Sequence, residues 1–461
     1  MNLSLHELRK RHPSFIYHSY KFVLEKGTLR FSFHFEIVPG ISFFPEVRIM
    51  GIKPEGIKRI SRDVLNNFAF HLGLAEIPSY WKSTCSAEII IKTGFLDTYQ
   101  RVWWKDLFTK GLGEFFYLNN IDYTSRDFLI IKTDEADNEN KYLFTGILNP
   151  KKYLVPVGGG KDSALTLALL KKNSKEILPF CLNPVDASLQ IIKMCGLKNP
   201  VIAVRKIDDK LLNLNKSGYL NGHTPFSAYL AFLSSLVALV FDIKSILVAN
   251  GRSANEGNTL FNEDDINHQY SKSFEFENKF RNYSKKYLAK NLEFTSFLRP
   301  LYELQIAKIF ANFSVYFPFF KSCNRGQKTN SWCQNCSKCL FVYTILYPFI
   351  EKKVLTAKIF SEDLFEKKEL LPVVGKFLEY NSVKPFDCVG TRLETKVAFA
   401  LCIDKVKKNE GKLPTLLQYI DDNRLIKISD LEKSKQEILQ GWDKENFLTE
   451  ELIIILKKAM Q

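Results

Sequence analysis

The stretch from Tyr153 to Leu170, which reads YLVPVGGGKDSALTLALL, limits the fold of this chain more than any other segment. Its apolar start is typical of a buried strand, and SALTLALLKK is typical of an amphipathic helix, so the glycines predict a strand-to-helix turn. Strand and helix patterns go on alternating to about residue 350, which predicts a parallel sheet covered by helices on both sides. Ligands bind at the carboxyl edge of such sheets, where this turn would lie.

Three consecutive glycines occupy the predicted turn: Gly158, Gly159 and Gly160. Glycine permits positive φ angles and close approach of the backbone, and a helix N-terminus offers unpaired N–H groups and the positive end of its dipole. Lys161 adds a full positive charge, and Ser163 adds a hydroxyl that can donate to a phosphate oxygen. The segment therefore predicts an anion cradle. A tight turn with Asp162 as an ordinary helix N-cap explains the same residues, and that alternative stays open here.

Two familiar phosphate loops do not fit this segment. The Walker pattern requires glycine where Val155 stands, and Ser or Thr directly after the lysine, where Asp162 stands. The dinucleotide fingerprint G-x-G-x-x-G requires a third glycine where Ser163 stands. Neither class of nucleotide site is therefore predicted.

Four cysteines lie in the stretch CNRGQKTNSWCQNCSKC: Cys323, Cys333, Cys336 and Cys339. Two overlapping C-x-x-C steps with a fourth cysteine upstream suit a tetrahedral zinc site, and four thiolates leave no open position for catalysis. We therefore expect structural zinc, with Arg325 among the residues that offset its negative charge. A chance cluster of reduced cysteines and an iron–sulfur cluster are the alternatives.

Composition and charge narrow the class of protein. The chain has 461 residues and a formal charge of +15, but its Lys and Arg residues are spread in pairs through helical patterns. This spread favours solvated helix faces over a nucleic-acid stripe, and it suits a small anionic substrate equally well. The N-terminus has no apolar signal region, so we expect a reducing, cytoplasmic location. The apolar run 228–241 is too short for a membrane span and predicts a buried helix, with Thr224 and Pro225 as N-cap and first-turn residues, followed by a strand.

The patterns divide the chain into three parts. Residues 1–148 are rich in alternating strand patterns and predict a β-rich α+β domain. Residues 149–350 carry the α/β alternation, the glycine turn and the four cysteines. Residues 351–461 are rich in Lys and Glu with helical periodicity, and predict a mainly helical region.

Two polar loops point to a ligand. ANGRSANEGN follows another predicted strand and supplies Arg252, Asn255 and Glu256. The segment NHQYSKS concentrates polar side chains that a protein core cannot absorb unpaired: Asn267, His268, Gln269 and Lys272. Arginine and lysine here match phosphates or carboxylates. A solvated connection is the alternative for this loop, and for His268 alone a structural histidine fits equally well.

The motifs resemble those of known enzymes. GGGKDS resembles the S-G-G-x-D-S pyrophosphatase loop of the adenine-nucleotide α-hydrolase (PP-loop, HUP) superfamily, with Gly158 replacing the first serine. Together with the four cysteines it looks like the 7-cyano-7-deazaguanine synthase branch, whose members are much shorter. Over nearly the whole chain, through ANGRSANEGN, INHQYSKSFEFE and KPFDCVGT as well, the sequence resembles the family of ATP-dependent UDP-N-acetylmuramoyl-L-alanyl-L-glutamate epimerases of peptidoglycan synthesis.

The resemblance implies a reaction and roles. ATP and Mg²⁺ would bind at the 158–163 loop, with Lys161 stabilising phosphate charge and Asp162 holding the metal, while a base such as His268 moves the α-proton of a glutamyl adenylate. The substrate would be a UDP-sugar dipeptide, in contact with the loop residues named above and with Arg325. Two other readings remain open: an AMP-forming ligase or nucleobase-modifying enzyme of the deazaguanine kind, and a non-catalytic, zinc-stabilised nucleotide sensor.

Overall fold

The computed structural model describes residues 3–133, 142–379, 382–409, 411–427 and 431–461. Its strands are β1 (Ser14–Glu25), β2 (Thr28–Ile37), β3 (Ile41–Phe43), β4 (Glu46–Met50), β5 (Glu88–Ile91), β6 (Ile130–Thr133), β7 (Lys152–Pro156), β8 (Glu176–Leu182), β9 (Val201–Lys206), β10 (Ser245–Val248), β11 (Thr259–Phe261), β12 (Asp264–Ile266) and β13 (Glu293–Ser296).

The helices are α1 (Leu5–Arg11), α2 (Pro54–Lys58), α3 (Arg62–Trp81), α4 (Thr98–Gly111), α5 (Gly113–Leu118), α6 (Lys161–Lys172), α7 (Asp186–Met194), α8 (Asp209–Lys216), α9 (Phe226–Val240), α10 (Phe274–Tyr287), α11 (Glu303–Phe310), α12 (Ser337–Leu346), α13 (Lys352–Val354), α14 (Leu371–Leu378), α15 (Arg392–Asn409), α16 (Thr415–Asp422), α17 (Glu432–Gln440) and α18 (Glu450–Met460). Short 3₁₀ turns include Arg252–Asn255, Tyr270–Lys272 and Gln327–Thr329.

The contacts divide the chain into two compact units, each built from segments that are separate in sequence. The first unit comprises Met1–Leu154, Val201–Ile246 and Leu260–Phe294. The second comprises Val155–Pro200, Leu247–Thr259 and Thr295–Gln461. The three-part division at residues 148 and 350 concerns sequence boundaries and stays a prediction.

The first unit is built on a mixed sheet in the order β9-β4-β2-β1-β5-β6. β1 and β2 form a long antiparallel hairpin, β4 pairs antiparallel with both β2 and β9, and β5 pairs in parallel with β1 and β6. Buried and partly exposed residues alternate along β2, so one face of the hairpin carries a phenylalanine-rich core. α3 packs on this hairpin and begins where Ser61 Oγ accepts the Val64 N–H at 3.2 Å. Residues 1–148 supply β1–β6 together with α1–α5, so this part of the chain is an α+β mixture, and a separate β-rich domain stays a prediction.

The predicted α/β core is present as neighbouring strands in the order β13-β10-β7-β8. β7 and β10 are parallel, with Ser245 opposite Tyr153. Because β9 pairs antiparallel with β4, the fold is a mixed α/β architecture. A purely parallel sheet would be too simple a description.

The second unit contains α6, α7, α11 and α12, and the helices α14–α18 that follow them. α15 packs against α12, α14 and α17, which confirms the helical C-terminal region. The apolar run after residue 225 is the buried helix α9, but Pro225 is its N-cap, and Thr224 lies one residue outside. Within the described ranges, every helix is too short or too polar to cross a bilayer.

Candidate active site

The glycine turn has the backbone that its sequence predicts. Gly159 has a φ of +93°, and Gly160 is the N-cap of α6 with an extended backbone. A Cβ on Gly159 would lie 3.0 Å from the Ala187 Cβ, so a side chain at this position meets both conformational strain and a steric conflict. Asp162 lies inside the first turn of the helix, so the ordinary N-cap alternative for it is wrong.

The loop is fixed by the segment that leads into the cysteines. The Gly159 carbonyl accepts the Lys321 N–H at 2.8 Å, and the Gly158 carbonyl accepts Nε2 of Gln327 at 2.8 Å. Ser322 Oγ lies 3.5 Å from the Lys161 backbone nitrogen, and thus supplies a hydroxyl next to the loop. These contacts pair the carbonyls of Gly158 and Gly159 with protein donors, and the first-turn N–H groups of α6 are the remaining polar groups of the turn.

Lys161 is the charged centre of this site. Its side chain is 1% exposed, and its ammonium group donates to the carboxylates of Asp162 and Glu303. Burial alone would lower the pKa of Lys161, but the two carboxylates outweigh burial and raise it. Lys161 is therefore a permanent cation between two anions, and Asp162, with a side chain 30% exposed, is the more accessible carboxylate.

A second buried carboxyl lies behind Glu303. Glu394 is fully buried and accepts N–H groups from Leu304, at 3.2 Å, and Thr391. Burial raises the pKa of Glu394 to about 7, and the nearby charge of Glu303 adds to this effect, against hydrogen bonds that lower it. Ser253 joins the group because its Oγ accepts the Glu303 N–H at 3.2 Å.

The other residues of ANGRSANEGN are held by protein partners. Arg252 lies 3.3 Å from the Asp443 carboxylate and over the Tyr302 ring, with its guanidinium carbon 4.4 Å from the centroid. Asn255 Oδ1 lies 3.4 Å from the buried Arg299 guanidinium.

Glu256 accepts from Lys384 Nζ at 3.0 Å and from the Arg392 N–H at 2.9 Å. Lys384 belongs to KPFDCVGT, so the structure brings this stretch, ANGRSANEGN and the glycine loop into one unit.

The four cysteines converge as their spacing predicts. Their sulfurs all lie within 4.8 Å of one another, and Sγ of Cys333 is 3.7 Å from Sγ of Cys339. This distance is far longer than a disulfide bond, and it matches the separation of two thiolates bound at about 2.3 Å to one tetrahedral zinc. N–H groups of Gly326 and Cys339 point at cluster sulfurs, as expected for thiolate ligands. The residues therefore fit a structural zinc ion, and Arg325 beside them is exposed.

His268 lies in the first unit, whereas the glycine loop lies in the second. Its Nδ1 is hydrogen-bonded to Glu114, and His223 Nδ1 lies 3.5 Å from the same carboxylate oxygen. Burial, together with positive charge from His268, Lys82 and Lys272, lowers the pKa of His223 to about 3. Lys82 and Lys272 would repel a divalent cation bound between Glu114, His223 and His268.

The neighbours of His268 fix its loop. Asn267 Oδ1 accepts the Gln269 N–H at 2.7 Å, and the 3₁₀ turn Tyr270–Lys272 follows. Lys272 is half-buried and acts electrostatically on His223. The structure therefore places His268 against Glu114, which the sequence did not single out, and holds Asn267, Gln269 and Lys272 in the same loop.

Comparison with known families decides the classification. The family model described as the MurL N-terminal domain matches residues 6–297, and the one described as the MurL C-terminal domain matches residues 319–424. The chain belongs to the MurL family. Lys161 and His268 lie within the first match, and the four cysteines lie within the second.

Curated MurL relatives share most of their length with this chain. It is 29% identical over 401 residues to the UDP-N-acetyl-alpha-D-muramoyl-L-alanyl-L-glutamate epimerase of Salinispora tropica, covering 86% of each chain. A Micromonospora protein of the same name is 29% identical, with 87% of this chain and 89% of the relative covered. A protein of the same name from Xanthomonas oryzae pv. oryzae is 30% identical, with 72% of this chain and 73% of the relative covered. No solved structure matches.

Several residues near Lys161, and others near His268, carry no signal in the sequence of this MurL chain. Glu303 and Glu394 begin unremarkable helical patterns, and Glu114 and His223 belong to no motif. Only the fold places them beside Lys161 and His268, so a single sequence offers no signal for them. In the sequence KPFDCVGT carries only a family resemblance, and the contact of its Lys384 with Glu256 gives it a structural role.

Proposed function

We propose that this chain is an ATP-dependent epimerase of peptidoglycan precursor synthesis. It adenylates the α-carboxylate of the terminal L-Glu of UDP-N-acetylmuramoyl-L-alanyl-L-glutamate, inverts that residue to D-Glu, and releases AMP and pyrophosphate. The observation that carries the proposal is the match to an epimerase of this substrate over 86% of both chains. The charged glycine loop of the second unit supports the ATP-dependent part.

The chemistry explains why ATP is spent on an isomerisation. The α-proton of a carboxylate is very weakly acidic, because its loss would place a second negative charge on an anion. Attack of the carboxylate on the α-phosphorus of ATP forms an acyl adenylate and expels pyrophosphate, which removes the first charge. The α-proton then leaves to a base, a proton returns on the other face, and water cleaves the adenylate to the D-glutamyl product and AMP.

We assign ATP to the 158–163 loop, in the manner of the PP-loop, HUP-type superfamily. A Cβ on Gly158 would meet nothing within 4 Å, so the turn leaves room for a phosphate beside its main chain. The first-turn N–H groups of α6 and the charge of Lys161 would bind pyrophosphate oxygens. Asp162 and Glu303 are the carboxylates suited to Mg²⁺, which would neutralise phosphate charge. Ser163 Oγ donates to the Gly160 carbonyl at 3.0 Å and thereby shapes the turn.

We assign proton transfer to His268. When its Nδ1–H is donated to Glu114, the neutral ring carries its lone pair on Nε2, the state a general base requires. Glu114 also stabilises the imidazolium that forms. His223, whose ring centroid is 4.5 Å from that of His268, stays neutral near pH 7 and packs beside the proposed base without adding a second positive charge.

The remaining polar residues have proposed contacts with the UDP-sugar dipeptide. Cationic and amide side chains suit its phosphates and carboxylates: Arg252, Asn267, Gln269, Lys272 and Arg325. Asn255 and Glu256 are held by buried Arg299 and Lys384, so we propose that they position the loop.

A substrate-dependent AMP assay tests the proposal. Purified chain is incubated with ATP, Mg²⁺ and either the UDP-muramoyl-L-Ala-L-Glu substrate, a carboxylated deazaguanine, or neither. AMP release with the muramoyl dipeptide, together with D-Glu in the hydrolysed product, supports the epimerase. AMP release only with the deazaguanine indicates a nucleobase-modifying enzyme. ATP binding without turnover of either compound indicates a nucleotide sensor.

A further inference from the structure

A cavity of about 460 Å³ lies in the first unit, beside α3 and the loop that precedes α4. Small-molecule sites typically enclose roughly 300–1,000 Å³, so its size suits a ligand of nucleoside dimensions. The residues assigned above to ATP, zinc and proton transfer do not line it. The proposed function therefore leaves this cavity without a role.

One wall of the cavity is aromatic and flat. Phe70 stacks on Tyr17, with ring centroids 6.0 Å apart and planes 5° from parallel, and Tyr20 lies beside it. Gly94 approaches so closely that a Cβ there would lie 2.7 Å from the Phe70 ring. The glycine therefore keeps the ring in place and suits the wall to a planar group.

The polar groups of the cavity fall into two sets. Asp97 and Gln100 are saturated by protein, since Asp97 caps α4 and accepts the Tyr287 hydroxyl at 2.6 Å, while Gln100 Nε2 donates to Tyr283 at 3.0 Å. By contrast, the side chains of Asp63 and Asn66 make no hydrogen bond with any described residue, although both line the cavity. They lie three residues apart, on one face of α3. This helix face therefore offers an amide and a carboxylate to a ligand.

The charge of the walls limits what that ligand can be. They contain Asp63 and Asp97 and, among the described residues, no lysine or arginine. A phosphate would be repelled, whereas a neutral planar base with a vicinal diol fits. An asparagine amide pairs through two hydrogen bonds with the imide edge of uracil, and a carboxylate accepts ribose hydroxyls.

We propose that this cavity binds the uridine of the UDP-sugar substrate, with Asn66 on the uracil edge, Phe70 and Tyr20 against the ring, and Asp63 on the ribose. The diphosphate then lies outside the cavity, away from the carboxylates of its walls. This inference rests on the proposed function, which supplies a uridine nucleotide.

Calorimetric titration of the full chain with uridine and with 3-methyluridine tests the assignment. Asn66→Asp leaves two acceptors and no donor, so the uracil N3–H keeps its partner while the uracil carbonyl loses one, and methylation of N3 removes the other hydrogen bond from the ligand. We expect uridine to bind at least about tenfold more weakly to Asn66→Asp than to wild type, and 3-methyluridine to bind wild type at least about tenfold more weakly than uridine does. The matched variant Asn278→Asp, on the exposed face of α10 in the same unit, should bind as wild type does.

Several outcomes overturn the assignment. If the wild-type chain does not bind uridine, the cavity is not a nucleoside site. If it binds tetramethylammonium in place of uridine, the cavity is a cation site. Equal binding of uridine and 3-methyluridine by wild type takes Asn66 off the uracil edge. If the muramoyl dipeptide drives AMP release but Asn66→Asp leaves its KM unchanged, the uridine assignment fails while the epimerase stands. Uridine binding with the expected losses in Asn66→Asp and with 3-methyluridine, but without AMP release, fails the epimerase alone.

Discussion

The ammonium group of Lys161 donates to the carboxylate of Glu303, 142 residues further along the chain. This contact joins the N-terminus of α6 to that of α11, so the glycine loop and the helix that supplies its counter-charge move as one body. Breaking a buried pair by removing one partner leaves an uncompensated charge, which is costly. The pair therefore ties the nucleotide loop to the interior of its unit.

Replacing Glu303 by Gln should slow substrate-dependent pyrophosphate release about 100-fold, a loss comparable to that of other preorganised electrostatic groups. The change removes one proposed Mg²⁺ ligand and frees Lys161 to pair with Asp162 alone. Glu369→Gln, at an exposed position of the same unit, is the control. A wild-type rate in Glu303→Gln would remove this carboxylate from the mechanism.

Replacement of two adjacent glycines by serine should change the free energy of unfolding by different amounts. Gly159→Ser should lower the free energy of unfolding by about 1–2 kcal/mol, because φ is +93° and the new Cβ meets Ala187 and Ser188. Gly158→Ser, with open space around its Cβ, should change it by less than about 0.5 kcal/mol. Urea unfolding of both variants measures the difference, and equal losses would contradict the described turn.

His268→Ala should abolish exchange of the substrate α-hydrogen with deuterium from solvent, a loss of about 100-fold or more, while adenylate formation persists. Glu114→Gln should slow the same exchange less severely, because it removes only the orienting charge. His6→Ala, at an exposed position, should behave as wild type. Undiminished exchange in His268→Ala would assign the proton transfer to another residue.

The purified chain should contain close to one zinc per molecule, and Cys336→Ser should lose it, because one ligand of a four-thiolate site is then missing. Elemental analysis gives the ratio, and a chelator should lower the melting temperature of wild type. Cys388→Ser, outside the cluster, should keep its zinc. Iron with visible absorbance in place of zinc would identify an iron–sulfur cluster.

Glu394 should make the protein less stable as pH rises. Its pKa is raised from 4.5 to about 7 by burial, so between these values the folded state holds a proton that the unfolded state has lost. The stability that this group contributes is fully present below pH 4.5. It falls by at most about 3 kcal/mol as pH rises to 7, and it is constant above pH 7. Unfolding at pH 5 and pH 8 should show this fall in wild type and a smaller one in Glu394→Gln. Identical pH profiles for the two would rule out the shifted carboxyl.

The sequence was most informative where an element carries its own signal. The residues of β8 and the start of α6 follow from apolar runs and the glycine turn. The start of α9 was misplaced by one residue because the Phe226 N–H bonds to the Thr224 carbonyl at 2.7 Å. That local turn leaves Pro225 as the cap, and side-chain preference alone does not reveal it.

The residues of the candidate site also differ in whether the sequence predicts them. Cys333, Cys336 and Cys339 are neighbours in sequence, so their spacing already predicts a common ion. Glu303 reaches Lys161, and Glu394 reaches the Leu304 N–H, only through tertiary packing, and no local pattern marks a carboxylate that will be buried. The part of a site that depends on such packing cannot be read from one sequence.

The discontinuity of the second unit also affects its synthesis. The glycine loop leaves the ribosome well before Ser322 and Gln327, which fix its carbonyls, have been translated. The nascent chain therefore carries its phosphate loop unsupported while the residues between Lys161 and Ser322 are translated. Products of premature termination before α11 should accordingly be inert towards nucleotides.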